Sequence, residues 1–176
     1  LYVENCLMDS PNLDRVLRIK TNPCRGGIIE NVYFRNVTVG QCKEAVLKIN
    51  LDYEPKELCC RNYPPTVRNV YMENVTCKKS MYGVMAVGLQ DKCNIYNINL
   101  KDCKFDGVKD APVYKTGQMR DFHYYNLLIN GKVILAELPY KHYSEWLTFS
   151  EMKRVPQPYM LDFAKKPKWS YVMGIE

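Results

Sequence analysis

The chain has 176 residues, of which 47% are hydrophobic and 12% aromatic, ample for a buried core. No apolar run approaches the ~20 residues that cross a bilayer, and the eight cysteines and two histidines show neither a Cys-x-x-Cys nor a finger-like spacing, which excludes a structural zinc module. A net charge of +6 and a pI near 8.8 favour an anionic partner, but the densest basic cluster, Lys165, Lys166 and Lys168, sits beside Pro167 and Trp169 and argues against nucleic acid.

Leu1 opens directly on strand-like sequence without a charged n-region or an apolar h-region, so a leader and a partner for the first strand are expected to be missing from this chain. Asn5 is then the first of five polar pivots, each with apolar residues four and two places before it and one and three places after it. Leu1, Val3, Cys6 and Met8 flank Asn5; Val32, Phe34, Val37 and Val39 flank Asn36; Val70, Met72, Val75 and Cys77 flank Asn74. Ile98, Leu100, Cys103 and Phe105 flank Asp102, and Phe122, Tyr124, Leu127 and Ile129 flank Asn126. The pivots recur after 31, 38, 28 and 24 residues. Alternation that slips by one residue at a polar position describes short strands joined by a bend, with the same side kept inward. A second Asn or Asp lies five residues earlier in four copies, at Asn31, Asn69, Asn97 and Asp121, and marks an earlier corner.

Between pivots lie further apolar strands: Leu17 to Ile19, Ala45 to Ile49, Val84 to Leu89 and Ala111 to Tyr114. With about three strands per repeat, rich in Val, Ile, Tyr and Thr, the expected fold is all-β, a parallel β-helix of about five coils over 1–138, incomplete at its N-terminus. In the first inter-pivot strand, within Arg15 to Asn22, Arg18 and Lys20 share the outward face while Leu17 and Ile19 turn inward. Such a pair can hold an anionic group, the guanidinium as a planar fork and the ammonium as a point charge. For an isolated Arg-x-Lys, a solvated strand face is the better reading, and context has to overturn it.

Cys6, Cys77 and Cys103 fall on inward positions and read as small buried hydrophobes. The glycosylation-like triplets Asn36-Val37-Thr38 and Asn74-Val75-Thr76 coincide with pivots, where a structural role for the Asn is expected. His123 lies three before Asn126, on the outward phase, and is expected to face solvent. After Leu138-Pro139 the alternation stops. Ser144 can cap a helix to about Arg154 with Trp146, Leu147, Phe149 and Met152 on one stripe, so 139–176 is expected to be a helical or irregular tail, a cap for the solenoid or the opening of a second domain.

Arg18-Ile19-Lys20, followed by Arg25-Gly26-Gly27 and the stretch Ile29-Glu30-Asn31-Val32-Tyr33-Phe34-Arg35-Asn36-Val37, resembles glycoside hydrolase family 28, the polygalacturonases and related pectin hydrolases. The resemblance covers about residues 1–135. It implies a right-handed parallel β-helix, a secreted or periplasmic location, and binding of a uronate carboxylate by Arg18 and Lys20. Tyr53, in Asn50-Leu51-Asp52-Tyr53-Glu54, lies 35 residues after Arg18, where that family tends to place a substrate-contacting tyrosine. Residues 144–176, through Ser150-Glu151-Met152-Lys153-Arg154, Leu161-Asp162-Phe163, Trp169-Ser170-Tyr171 and Gly174, are similar to the start of the unsaturated rhamnogalacturonyl hydrolases, implying a second hydrolase domain.

The family's catalytic Asn-Thr-Asp, Asp-Asp and Gly-His-Gly motifs do not occur in this sequence. Inverting glycosidases need a general acid and a second carboxylate that activates water, and Asp9 and Asp14, near the triplet, match no such motif and read as loop residues. The expectation is a substrate-binding set of Arg18, Lys20 and Tyr53 with no catalytic, metal or cofactor residue. The substrate implied is pectin, as galacturonan or rhamnogalacturonan, with catalysis supplied from missing N-terminal coils. The alternative is a noncatalytic β-solenoid that binds acidic polysaccharide or serves as a structural module; a lyase of the same fold would want calcium-binding carboxylates, and no such cluster is visible.

Overall fold

A computed structural model of the protein describes residues 1–135. Ten strands follow one another: β1 (Tyr2–Met8), β2 (Leu17–Lys20), β3 (Ile28–Val39), β4 (Ala45–Asn50), β5 (Thr66–Cys77), β6 (Tyr82–Val87), β7 (Ile95–Phe105), β8 (Val113–Thr116), β9 (Phe122–Ile129) and β10 (Lys132–Ile134). The chain visits two sheets alternately: a six-stranded sheet in the order β1-β3-β5-β7-β9-β10 and a four-stranded one in the order β2-β4-β6-β8. Every pairing is parallel except β9 with β10. The described residues are thus all-β, with no helix, and the alternation is consistent with a parallel β-helix.

The corners lie at the polar pivots. Asn5, Asn36, Asn74, Asp102 and Asn126 have φ of 57°, 53°, 51°, 50° and 55°, and Asn31, Asn69, Asn97 and Asp121 have 56°, 55°, 54° and 56°. This left-handed conformation clashes with most side chains, whereas Asn and Asp tolerate it. Because equivalent residues bend in each repeat, pairing continues through both corners, so β3, β5 and β7 are single bent strands of 12, 12 and 11 residues rather than the separate short strands the alternation suggested.

Side chains at the corners bond along the stack. Asn74 Nδ2 donates to Asn36 Oδ1 at 2.9 Å and Asn36 Nδ2 to Asn5 Oδ1 at 3.1 Å, which commits both glycosylation-like asparagines to a ladder. Asn126 Nδ2 donates to Asp102 Oδ1 at 2.8 Å, but a carboxylate cannot pass a proton on, and the ladder breaks between Asp102 and Asn74. In the second ladder Asn97 donates to Asn69 at 2.8 Å and Asn69 to Asn31 at 3.2 Å. Asp121 again cannot donate, and Asn99 Nδ2 fills the gap by donating to Asn97 Oδ1 at 2.9 Å.

Inward residues stack in columns, as in Phe34, Met72, Leu100 and Tyr124, or Val39, Cys77, Phe105 and Ile129. From the other side Leu17, Leu47 and Val84 and then Ile19, Ile49 and Ala86 close the core. Cys77 and Cys103 are buried as expected, whereas Cys6, in the first strand with a neighbour on one side only, is half-buried. His123 is a correction: it is 2% exposed. It does lie on the outward phase, but its register sets it on buried Asn99, in a column with Tyr33 and Tyr71, so outward here does not mean solvated. Asn130 and Gly131, both at positive φ, form the turn to antiparallel β10. The expected domain limit near 138 and the helix at 144–154 lie outside the described residues.

Candidate functional site

β2 alternates as its sequence dictates, with Leu17 and Ile19 buried and Arg18 and Lys20 exposed. Thr21 then lends its carbonyl to the Tyr53 amide at 3.1 Å, and this contact brings the segment after β4 alongside the end of β2. Asn22, fully buried, fixes that segment: its Nδ2 donates to the Tyr53 carbonyl at 2.8 Å and to Glu57 Oε2 at 2.5 Å, while its Oδ1 accepts from the Cys24 amide at 3.1 Å. Further ties run from Arg25 to Glu54 at 3.0 Å and Glu57 at 3.2 Å, and a Cys24–Cys59 disulfide joins the two loops with Cα atoms 5.7 Å apart.

So held, the Tyr53 ring meets both cations. Arg18 Cζ lies 5.3 Å and Lys20 Nζ 4.3 Å from the ring centroid, within cation–π range. The structure therefore brings together the three residues singled out in the sequence, 35 positions apart at most. Neither Arg18 nor Lys20 forms an ion pair with any described residue. Neighbouring cations differ: Arg15 and Lys48 both bind Glu44, Arg61 binds Asp52, and Arg35, Arg68 and Lys101 bind Glu4, Glu30 and Glu73. Burial alone would raise the Glu44 pKa, yet the hydrogen bonds from Lys48 and Arg15 carry it below its usual value, so Glu44 stays ionised and its cations stay neutralised. Two unneutralised cations and an aromatic face can hold an anion carried on a ring.

Beside the clamp a cavity of about 580 Å³ opens at the C-terminal ends of β4 and β6, lined by residues including Asp52, Arg61, Val87, Asp91 and Lys92. Arg18, Lys20 and Tyr53 are not among its lining residues; Arg18 and Lys20 stand on the outer face of β2, and Tyr53 in the segment after β4. Of the nearby carboxylates, Asp14 pairs with Arg15 at 3.4 Å, and Asp9 lies over Gly40, where a Cβ would meet Asp9 Oδ1 at 1.9 Å. Among the described residues there is no cluster of three or more His, Cys, Asp or Glu that could hold a metal ion.

Sequence reasoning missed the Cys24–Cys59 bridge and Asn22. A signal existed: Cys24 and Cys59 both lie in the loops that follow β2 and β4, and β2 and β4 are adjacent.

Compared with known proteins, the family model described as glycosyl hydrolases family 28 matches residues 1–126. No curated protein and no solved structure matches the chain.

Proposed function

Because the chain belongs to the glycosyl hydrolases of family 28, we propose that Arg18, Lys20 and Tyr53 form the clamp for a uronate carboxylate in a pectin-degrading glycoside hydrolase. The observation that carries this reading is the pair of cations without carboxylate partners, both against the Tyr53 ring. Arg18 binds the carboxylate through its planar fork, Lys20 adds a point charge, and the ring of Tyr53 packs against the sugar.

In this reading the β-helix is right-handed, has about five coils here and continues toward the N-terminus in the whole enzyme. The acid and base of an inverting hydrolysis come from those preceding coils, since the motifs expected for them are absent from this sequence. The chain by itself therefore binds substrate without cleaving it, and the rhamnogalacturonyl hydrolase-like tail at 144–176 leads into a second pectin-degrading domain.

Calorimetric titration with digalacturonate tests the clamp. Charge-assisted hydrogen bonds are worth ~1.5–3 kcal/mol each, so Arg18→Ala should weaken binding by roughly 10- to 100-fold, with a steep salt dependence in the parent protein. Unchanged affinity in Arg18→Ala and Lys20→Ala variants would sink the clamp. Release of reducing ends from polygalacturonate by the 176-residue chain, lost in Arg18→Ala, would overturn its catalytic silence.

A further inference from the structure

Six of the eight cysteines carry free thiols, and two of these meet. Cys77 ends β5, in an inward column with Val39 and Phe105, while Cys42 lies in the turn after β3, one coil earlier. Both reach the carbonyl of Lys79, to which the Cys42 amide donates at 2.9 Å and the Cys77 thiol at 3.4 Å. Cys42 is 5% exposed and Cys77 1%. A hydrogen bond between the two side chains lowers the pKa of Cys77 and raises that of Cys42. The remaining thiols are not arranged this way. Cys6 and Cys103 share a column but are separated in it by Val37 and Val75, about 14 Å at ordinary strand spacing and too far to bridge. Burial pushes the Cys103 pKa up to about 12, and its thiol rests on the carbonyls of Met72 and Lys101, the state of an inert core cysteine. Cys60 and Cys93 are exposed in loops.

A cavity of about 230 Å³ opens onto Cys42 but not onto Cys77, and Lys43, Lys79 and Lys109 line it as well. Among the described residues no carboxylate pairs with any of these three lysines; Lys43 has a hydrogen bond to Asn12 Oδ1 at 3.5 Å. A small anionic reagent is therefore drawn to the cavity and meets Cys42 first, with Cys77 behind it. We propose that Cys42 and Cys77 form a thiol–disulfide exchange site that takes an anionic small-molecule disulfide, such as oxidised glutathione, and closes into a second bridge between coils. Cys42 attacks one glutathione sulfur to form a mixed disulfide, and the glutathione thiolate that leaves takes up the Cys42 proton. Cys77 then attacks the Cys42 sulfur, and the second glutathione leaves with the Cys77 proton. Two protein thiols give up two electrons, and one glutathione disulfide is reduced to two thiols. The new bond spans 35 residues, as Cys24–Cys59 does, but lies at the other end of β4. It ties the β4 coil to the coil after it at Cys42, where Cys59 already ties it to the coil before.

The test exposes the folded full chain, carrying Cys60→Ser and Cys93→Ser to remove the exposed thiols, to oxidised glutathione. Remaining thiols are then blocked and the protein is digested with trypsin without reduction. Mass spectrometry should find residues 36–43 joined to residues 69–78, two hydrogens lighter than the separate peptides. Adding Cys77→Ala should trap glutathione on Cys42, whereas adding Cys42→Ala should leave Cys77 unmodified. Lys79→Gln with Lys109→Gln should slow closure by oxidised glutathione roughly tenfold and leave closure by uncharged hydroxyethyl disulfide unchanged. The linked peptide is read with both cysteines in place, so it does not depend on how well the Ala variants fold. A linked peptide that forms only in denaturant, a bond from Cys42 to Cys6 or Cys103 instead, or glutathione on Cys77 in the Cys42→Ala variant would each overturn the exchange site. Equal slowing of both reagents, or of neither, would overturn its preference for an anionic disulfide.

Discussion

The long and short sheets are built from the same repeat yet treat their polar side chains in opposite ways. In the long sheet many polar groups find their partner one strand away. Asparagine bonds to asparagine at the corners, and Glu4, Arg35, Glu73 and Lys101 alternate in sign across four strands in register. In the short sheet the outward column does not repeat, and its first strand leaves Arg18 and Lys20 without carboxylates. A position that repeats chemically satisfies itself and contributes to stability. One that departs from the repeat and is left unsatisfied is free to bind something else.

The largest test of this division is at the Cys24–Cys59 bridge, which belongs to the short-sheet side. For a separation of 35 residues, loop-closure entropy gives about 3–4 kcal/mol of stabilisation. Reduction, or the paired Cys24→Ser and Cys59→Ser variant, should lower the denaturant midpoint accordingly. It should also weaken digalacturonate binding by loosening the Tyr53 loop. Hydrogen exchange should rise first in residues 52–61 and not in β5. Equal loss of protection in β5 would show that the two regions are not separable.

Asn97 probes the other side. Its ladder bonds to Asn69 and Asn99 are shielded from water, and its φ is 54°. Asn97→Ala loses those bonds and forces a Cβ without a compensating amide into the left-handed region, about 3 kcal/mol together. Asn97→Gly loses the bonds but relaxes the backbone, and should recover ~1 kcal/mol of that in chemical denaturation. Neither should alter digalacturonate affinity. A clamp that weakened with Asn97→Gly would mean that the long sheet helps to shape the site.

The long sheet was legible from sequence because it repeats: an Asn or Asp at fixed offset from apolar alternation is a backbone statement, and the corners stand at those residues. Arg18 and Lys20 were legible from alternation as a pair of outward cations, whereas Tyr53, a ring 35 residues away, came into view only through the family resemblance. Asn22 was not legible at all. It lies in a loop that occurs once, and its role depends on where Tyr53 and Glu57 arrive in space. His123 was misread for a related reason: phase distinguishes the two faces of a strand, but burial depends on what stacks along the column.

His123 also gives the smallest effect and separates the two sheets by pH. Burial lowers its pKa below the ordinary 6.5, opposed by the charge of Asp121. As pH falls through about 6.5 the unfolded chain therefore takes up a proton that the folded chain refuses. Stability contributed by the neutral ring is complete above that pH and is lost as the pH drops toward the folded pKa, at no more than about 1.4 kcal/mol per pH unit. Glu44, on the short-sheet side, runs in another window. Its pKa is depressed, so its contribution is present above the ordinary 4.5 and lost only as pH falls below that, through the folded value. Denaturant midpoints measured from pH 7.5 to 5.5 should thus decline in the parent protein and stay flatter in His123→Phe, while Glu44→Gln keeps the parental slope. If His123→Phe retains the full decline, the titrating group lies elsewhere and the buried histidine does not set the acid limit of the long sheet.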